Sequence, residues 1–100
     1  MKSITSIELL ELLKSNADIQ LIDVREEAEH AEFNIGGEFI PLSKITQQID
    51  HIEKDKRVVL YCKKGVRSQI AIQRLQQKMP FKNLINLAGG IDAWKKQFTI

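Results

Sequence analysis

The chain has 100 residues, of which 43% are hydrophobic and 28% are charged, a composition that is ordinary for a globular protein. This length supports one hydrophobic core, so we expect a single domain over residues 1–100. Lys and Arg total 15 against 13 Asp and Glu, an excess too small to indicate nucleic acid or a membrane surface as a partner.

The amino-terminal stretch and the few Cys and His residues narrow the classes of protein further. Residues 1–8 lack the apolar run of a secretory signal, and no window has the length of a membrane span, so we expect a cytoplasmic protein. The single cysteine, Cys62, cannot form an internal disulfide. Only His30 and His51 accompany it, too few and too scattered for the usual ligand set, so we predict no metal.

Predicted helices and strands alternate from the start of the chain. A capping box at Thr5–Glu8 predicts a helix that begins near Ser6 and runs through Leu13. Its core-facing residues are expected to be Ile7, Leu10 and Leu13. The apolar run Ile19–Val24 then predicts a buried strand.

The next segment is predicted to contain two helices around a short extended run. Arg25–Phe33 is rich in helix-forming residues, and the glycines after it end the helix before the extended run Glu38–Ile40. Ser43 can cap a second helix, because apolar residues follow it at helical spacing: Ile45, Ile49 and Ile52.

The second half of the chain repeats the alternation. Val58–Tyr61 is the most β-prone run, and Leu84–Leu87 predicts the last strand. A helix is predicted after each strand. The apolar face of the first helix consists of Ala71, Leu75 and Met79, and Pro80 ends this helix. The apolar face of the second consists of Ile91, Trp94 and Phe98. This pattern favours an α/β fold with a central, mostly parallel sheet, helices on both faces and ligands at the carboxyl ends of the strands.

The loop after the Val58–Tyr61 strand carries the candidate chemistry. It reads Cys62, Lys63, Lys64, Gly65, Val66, Arg67 and Ser68, and a predicted helix follows. The start of a helix offers free backbone N–H groups and the positive end of the helix dipole. Gly65 permits a positive φ, and the lysines and Arg67 add positive charge. We therefore expect Cys62 to be a thiolate nucleophile at neutral pH.

These residues resemble the Cys-x-x-Gly-x-Arg-Ser loop of the rhodanese family of sulfurtransferases. Three further segments are similar to family motifs in the same order and spacing: Leu21–Glu26 to Asp-Val-Arg-Glu, Ile40–Leu42 to Ile-Pro-Leu, and Leu87–Gly90 with Trp94 to the closing Gly-Gly and Trp. One segment departs from the pattern, because Asn34–Glu38 stands where many members have His-Ile-x-Gly-Ala.

The resemblance implies a sulfurtransferase that needs no cofactor. Cys62 would take the outer sulfur of a small anionic donor such as thiosulfate and hold it as a persulfide. It would then pass the sulfur to a thiol, to cyanide or to a sulfur-carrier protein. The resemblance implies that the residues from Lys63 to Ser68 form the substrate cradle. It also implies that the divergent Asn34–Glu38 loop lies near the site, so the usual acceptor preference does not transfer.

Two other functions fit part of the pattern. The loop of a cysteine phosphatase has the pattern Cys-x5-Arg, whereas only four residues separate Cys62 from Arg67 here. A shorter loop encloses less space and suits a single sulfur better than a phosphate. A binding or regulatory module with the same fold would be marked by a missing or substituted cysteine, and Cys62 is present. Thiosulfate and cyanide distinguish these cases, since a pure binding module forms no thiocyanate.

Outside the loop, most polar residues are expected to have structural roles. Asp23 fits either a helix cap or a residue that adjusts the charge near Cys62. Arg25 is expected to form a structural ion pair, and His30 and His51 are expected to be solvated.

Overall fold

The fold is built around a five-stranded β-sheet. The computed structural model describes residues 1–99, so the last residue of the predicted domain lies outside the described residues. The strands in the described residues are Ser3–Ile4 (β1), Ile19–Asp23 (β2), Glu38–Phe39 (β3), Arg57–Tyr61 (β4) and Leu84–Leu87 (β5). The α-helices are Ser6–Lys14 (α1), Glu27–Glu32 (α2), Val66–Lys78 (α3) and Gly90–Gln97 (α4). Short 3-10 turns lie at Leu42–Lys44 and Ile49–His51.

The strand order is β1-β5-β4-β2-β3, and each neighbouring pair is parallel. The predicted small α/β domain with a parallel sheet is therefore confirmed. Because parallel strands end at one edge of the sheet, the residues that follow β2, β4 and β5 meet there. Cys62 follows β4, the middle strand of the sheet.

The two faces of the sheet carry two separate apolar clusters. Leu60 of β4 and Cys62, the first residue after this strand, belong to the cluster that contains Leu75 of α3. Tyr61 points to the opposite face, where it joins the cluster that contains Leu9 of α1. Successive side chains of a strand alternate between faces, so Cys62 and Tyr61 contribute to different sides of the sheet.

The prediction of a helix after Ser43 is wrong. Ile45 and Ile52 are buried as their spacing suggested, but the segment folds as two 3-10 turns joined by irregular turns. The buried side chain of Gln20 in β2 explains the end of this segment. Its amide nitrogen donates to the His51 carbonyl at 2.7 Å, and its amide oxygen accepts from the Glu53 N–H at 2.8 Å. These backbone groups therefore bind the sheet instead of continuing a helix.

The predicted core face of α1 is also wrong in part. The capping box is present, since the Thr5 hydroxyl accepts from the Glu8 N–H and the Glu8 carboxylate accepts from the Thr5 N–H. However, Ile7 is 48% exposed, while Leu9 is fully buried. The helix turns Leu9 toward the sheet, so spacing alone chose the wrong stripe. Within residues 1–99, no helix has the length and hydrophobicity needed to cross a membrane.

Candidate active site

The Cys62 sulfur lies against the start of helix α3. Its Sγ accepts hydrogen bonds from the backbone N–H of Gly65 at 3.1 Å and of Ser68 at 3.4 Å. The Ser68 hydroxyl is also 3.4 Å from the sulfur. Cys62 is only 1% exposed, so the sulfur is held in a largely water-free position. Backbone N–H groups and the positive end of the α3 dipole both favour negative charge on this atom.

Two glycines allow the backbone around Cys62 to pack this tightly. Gly65 caps α3 with φ 92°, a left-handed conformation that glycine adopts without strain. A Cβ added to Gly90 would overlap the Cys62 carbonyl oxygen and would lie 2.6 Å from the Lys63 carbonyl oxygen. The next two N–H groups of α4, from Ile91 and Asp92, bind these same two carbonyls at 2.9 Å. The start of α4 therefore holds the cysteine loop in place.

Asn86 in β5 is a site residue that the sequence reasoning missed. It is 2% exposed, and its amide nitrogen donates to the Gly65 carbonyl at 3.3 Å. Its amide oxygen accepts a hydrogen bond from the Ser68 hydroxyl. Asn86 thus fixes the two residues whose N–H groups reach Sγ. A polar residue within a predicted buried strand was the available signal, since a buried amide requires hydrogen-bond partners.

The three cations of the loop differ in how they are paired. The Arg67 guanidinium forms a two-pronged ion pair with the Glu29 carboxylate, at 2.7 and 2.9 Å. The Lys63 ammonium lies 3.4 Å from both carboxylate oxygens of Asp92. Lys64 is exposed and forms no ion pair within residues 1–99. The local positive charge is therefore smaller than three free cations would give.

A shallow depression of about 160 Å³ opens in front of the cysteine. Its lining residues are Cys62, Lys63, Lys64, Val66 and Arg67, all from the predicted loop. Val66 is 60% exposed, so it places an apolar side chain at the rim. The structure thus brings most of the predicted substrate-binding residues to one opening. The other two, Gly65 and Ser68, donate backbone hydrogen bonds to the Cys62 sulfur.

Asp23 forms a polar cluster of its own at the end of β2. Its carboxylate is fully buried and accepts from the Arg25 guanidinium at 3.0 and 2.9 Å, which confirms the ion pair predicted for Arg25. The His30 Nδ1 lies 2.8 Å from the same carboxylate, and the His30 ring stacks on Phe39. The expectation that His30 is solvated is therefore wrong, because α2 folds back over β2. His51 is exposed, as expected.

The divergent Asn34–Glu38 loop is anchored by Tyr61, the residue before Cys62. The Tyr61 hydroxyl donates to the Gly36 carbonyl at 2.9 Å and accepts from the Ile35 N–H at 3.3 Å. Burial of the side chain raises the pKa of Tyr61 to about 12, so its hydroxyl stays protonated at neutral pH. The loop is thus fastened to the same strand that ends in the candidate nucleophile.

A cysteine at the end of the middle strand of a parallel sheet, with helix N–H groups on its sulfur, is consistent with the family that the motifs suggested. The family model for the rhodanese-like domain matches residues 5–97. The chain therefore belongs to the rhodanese-like family.

Individual relatives agree with this assignment. A thiosulfate sulfurtransferase, GlpE, of Coxiella burnetii is 33% identical over 94% of this chain and 87% of its own length. The human single-domain sulfurtransferase superposes with a TM-score of 0.82 at 25% identity, covering 99% of both chains. A probable adenylyltransferase/sulfurtransferase, MoeZ, of Mycobacterium tuberculosis is 40% identical over 95% of this chain. This chain spans only 25% of that relative. These likenesses support a sulfurtransferase in general terms.

Proposed function

We propose that this protein transfers a sulfane sulfur from a small anionic donor such as thiosulfate to an acceptor, by way of a persulfide on Cys62. The acceptor is a thiol, cyanide or a sulfur-carrier protein. The observation that carries the proposal is the pair of backbone N–H groups, from Gly65 and Ser68, that bind the Cys62 sulfur at the start of α3. They stabilise the thiolate as the attacking group and, later, as the leaving group.

The transfer proceeds in two displacements. The Cys62 thiolate attacks the outer sulfur of thiosulfate, and a bond forms between Sγ and that sulfur. The bond between the two donor sulfurs breaks, and its electron pair leaves with sulfite. The acceptor then attacks the terminal sulfur of the persulfide, and the electron pair of the broken bond returns to Sγ. Donor and acceptor therefore bind in turn, and the kinetics are ping-pong.

The pairing of Arg67 supports sulfur transfer over phosphate chemistry. A phosphatase needs a guanidinium free to bind phosphate oxygens in a two-pronged fashion. Here the Glu29 carboxylate takes both prongs of Arg67. The loop also has four residues between Cys62 and Arg67, one fewer than the phosphatase pattern.

Thiocyanate formation from thiosulfate and cyanide tests the proposed function. Wild-type protein is expected to form thiocyanate, and Cys62→Ser is expected to abolish turnover with little change in the urea midpoint, because the two side chains have nearly the same shape. Turnover that persists in Cys62→Ser contradicts the mechanism. Aryl phosphate hydrolysis that exceeds thiocyanate formation and is lost in Cys62→Ser would instead establish a phosphatase. A pure binding module would form no product from either substrate.

A further inference from the structure

The Glu29 carboxylate forms an ion pair with the guanidinium of Arg67, which lines the depression in front of Cys62. Both hydrogen bonds are short, at 2.7 and 2.9 Å, and each side chain is about one-third exposed. Glu29 is also fixed from its own side, since its carboxylate accepts from the Glu26 N–H at 3.1 Å in the first turn of α2. The hydrogen bond from Arg67 lowers the pKa of Glu29 to about 2, so the carboxylate is ionised at neutral pH.

This pairing changes the charge that an incoming donor meets. Arg67 lines the depression in front of Cys62, and Glu29 brings a negative charge to the same place. Lys63 is likewise faced by Asp92 at 3.4 Å. Within residues 1–99, Lys64 is the one cation of the loop without a carboxylate partner. A dianion must therefore approach a nearly balanced site or displace Glu29 from Arg67.

We propose that Glu29 determines donor specificity by holding Arg67, so that the site uses a dianion such as thiosulfate less readily than a sulfur donor of lower charge. The inference rests on the proposed sulfur transfer and adds the charge class of the donor. Glu29 acts through Arg67 and is a positioning residue. Replacing it with glutamine keeps the shape of the side chain and removes the charge, which leaves Arg67 available to an anion.

Alkylation of the single thiol measures this effect without any turnover. Iodoacetate is an anion and iodoacetamide is neutral, and both react with the same Cys62 thiolate. The ratio of their rates therefore reports how well the site admits an anion, and it cancels changes in thiolate fraction. Glu29→Gln is expected to raise this ratio roughly two- to fivefold at low salt, the range for a partly exposed ion pair. The rise should shrink as added salt screens the site.

Glu32→Gln is the matched control. Glu32 lies on the same helix, α2, is exposed and forms no ion pair within residues 1–99, so the variant makes the same change in net charge without releasing Arg67. It should leave the iodoacetate to iodoacetamide ratio close to the wild-type value. In an Arg67→Ala background, Glu29→Gln should lose most of its effect, because the two residues act as a pair.

A comparison of two donors links the charge effect to catalysis. Thiosulfate carries two negative charges and methanethiosulfonate carries one. Glu29→Gln should raise kcat/KM for thiosulfate more than kcat/KM for methanethiosulfonate. The inference is overturned if Glu29→Gln leaves the alkylation ratio unchanged, or if Glu32→Gln raises it equally. If the ratio rises but the wild-type protein transfers sulfur from neither donor, the proposed function fails while the hold of Glu29 on Arg67 is established.

Discussion

At the scale of single residues, the candidate site depends on close contacts between backbone segments. The start of α4 approaches the Cys62 loop at Gly90, where a Cβ would overlap the Cys62 carbonyl oxygen. Gly90 also has φ 58°, so an alanine there would carry both backbone strain and a steric clash. The position of the loop, and with it the N–H groups on Sγ, should therefore be sensitive to a single methyl group.

Gly90→Ala tests this sensitivity, with Gly36→Ala as its control. Gly36 has φ 95°, and nothing lies within 4 Å of a Cβ added there, so its substitution should cost only the strain of a positive φ, about 1 kcal/mol. Gly90→Ala should lower the unfolding free energy by at least about 2 kcal/mol more, since the backbone must move. It should also slow sulfur transfer. Equal urea midpoints for the two variants would show that the close approach is unimportant.

At the scale of elements, helix α2 is held to the rest of the fold largely by polar contacts. None of its residues is buried. Glu29 binds Arg67 of α3, and His30 binds Asp23 of β2. The His30 ring also stacks on Phe39 of β3. A helix attached in this way should respond to the ionisation of the groups that hold it.

The Glu29–Arg67 pair predicts a pH-dependent contribution to stability. The pKa of Glu29 falls from its ordinary value of 4.5 to about 2 in the folded protein, because Arg67 donates to the carboxylate. The contribution is therefore fully present above pH 4.5 and is lost as the pH falls through about 2. At neutral pH, Glu29→Gln should lower the unfolding free energy by about 1 kcal/mol, a value reduced by solvent screening.

Urea unfolding at neutral pH and near pH 3 checks this contribution, with a resolution well below the expected gap of about 1 kcal/mol. The stability gap between wild type and Glu29→Gln should narrow on acidification, because the wild-type carboxylate begins to protonate in the unfolded state first. Glu32→Gln should show no comparable gap at either pH. A gap for Glu29→Gln that stays constant or widens at low pH would contradict the ion pair as its source.

At the scale of the whole molecule, the sequence predicted what local patterns determine. The alternation of strands and helices gave the parallel sheet, and the break after Val58–Tyr61 located Cys62 at a strand end. A buried polar residue such as Asn86 leaves a signal in the sequence, but which residues pair in the site was not predictable, because the partners lie far apart in sequence. Asn86 and Gly65 are 21 residues apart, and Glu29 and Arg67 are 38 apart. Such contacts depend on how elements pack, which residue spacing along one element does not encode.

The two wrong element predictions have the same origin. The apolar spacing after Ser43 correctly indicated burial of Ile45 and Ile52, but Gln20 of β2 binds the backbone at His51 and Glu53, where the segment ends, so a helix cannot continue past this point. The stripe on α1 was misjudged because the packing of Leu9 against the sheet, and not the spacing alone, sets the buried face. Tertiary contacts therefore override local propensity in both segments.

In the proposed mechanism, Cys62 carries the transferred sulfur as a persulfide. The direct measurement is the intact mass of the protein after exposure to thiosulfate and removal of the excess donor. The wild-type protein should gain the mass of one sulfur atom and lose it again on addition of cyanide, while Cys62→Ser should gain nothing. A wild-type mass that stays unchanged while thiocyanate still forms would contradict the persulfide mechanism.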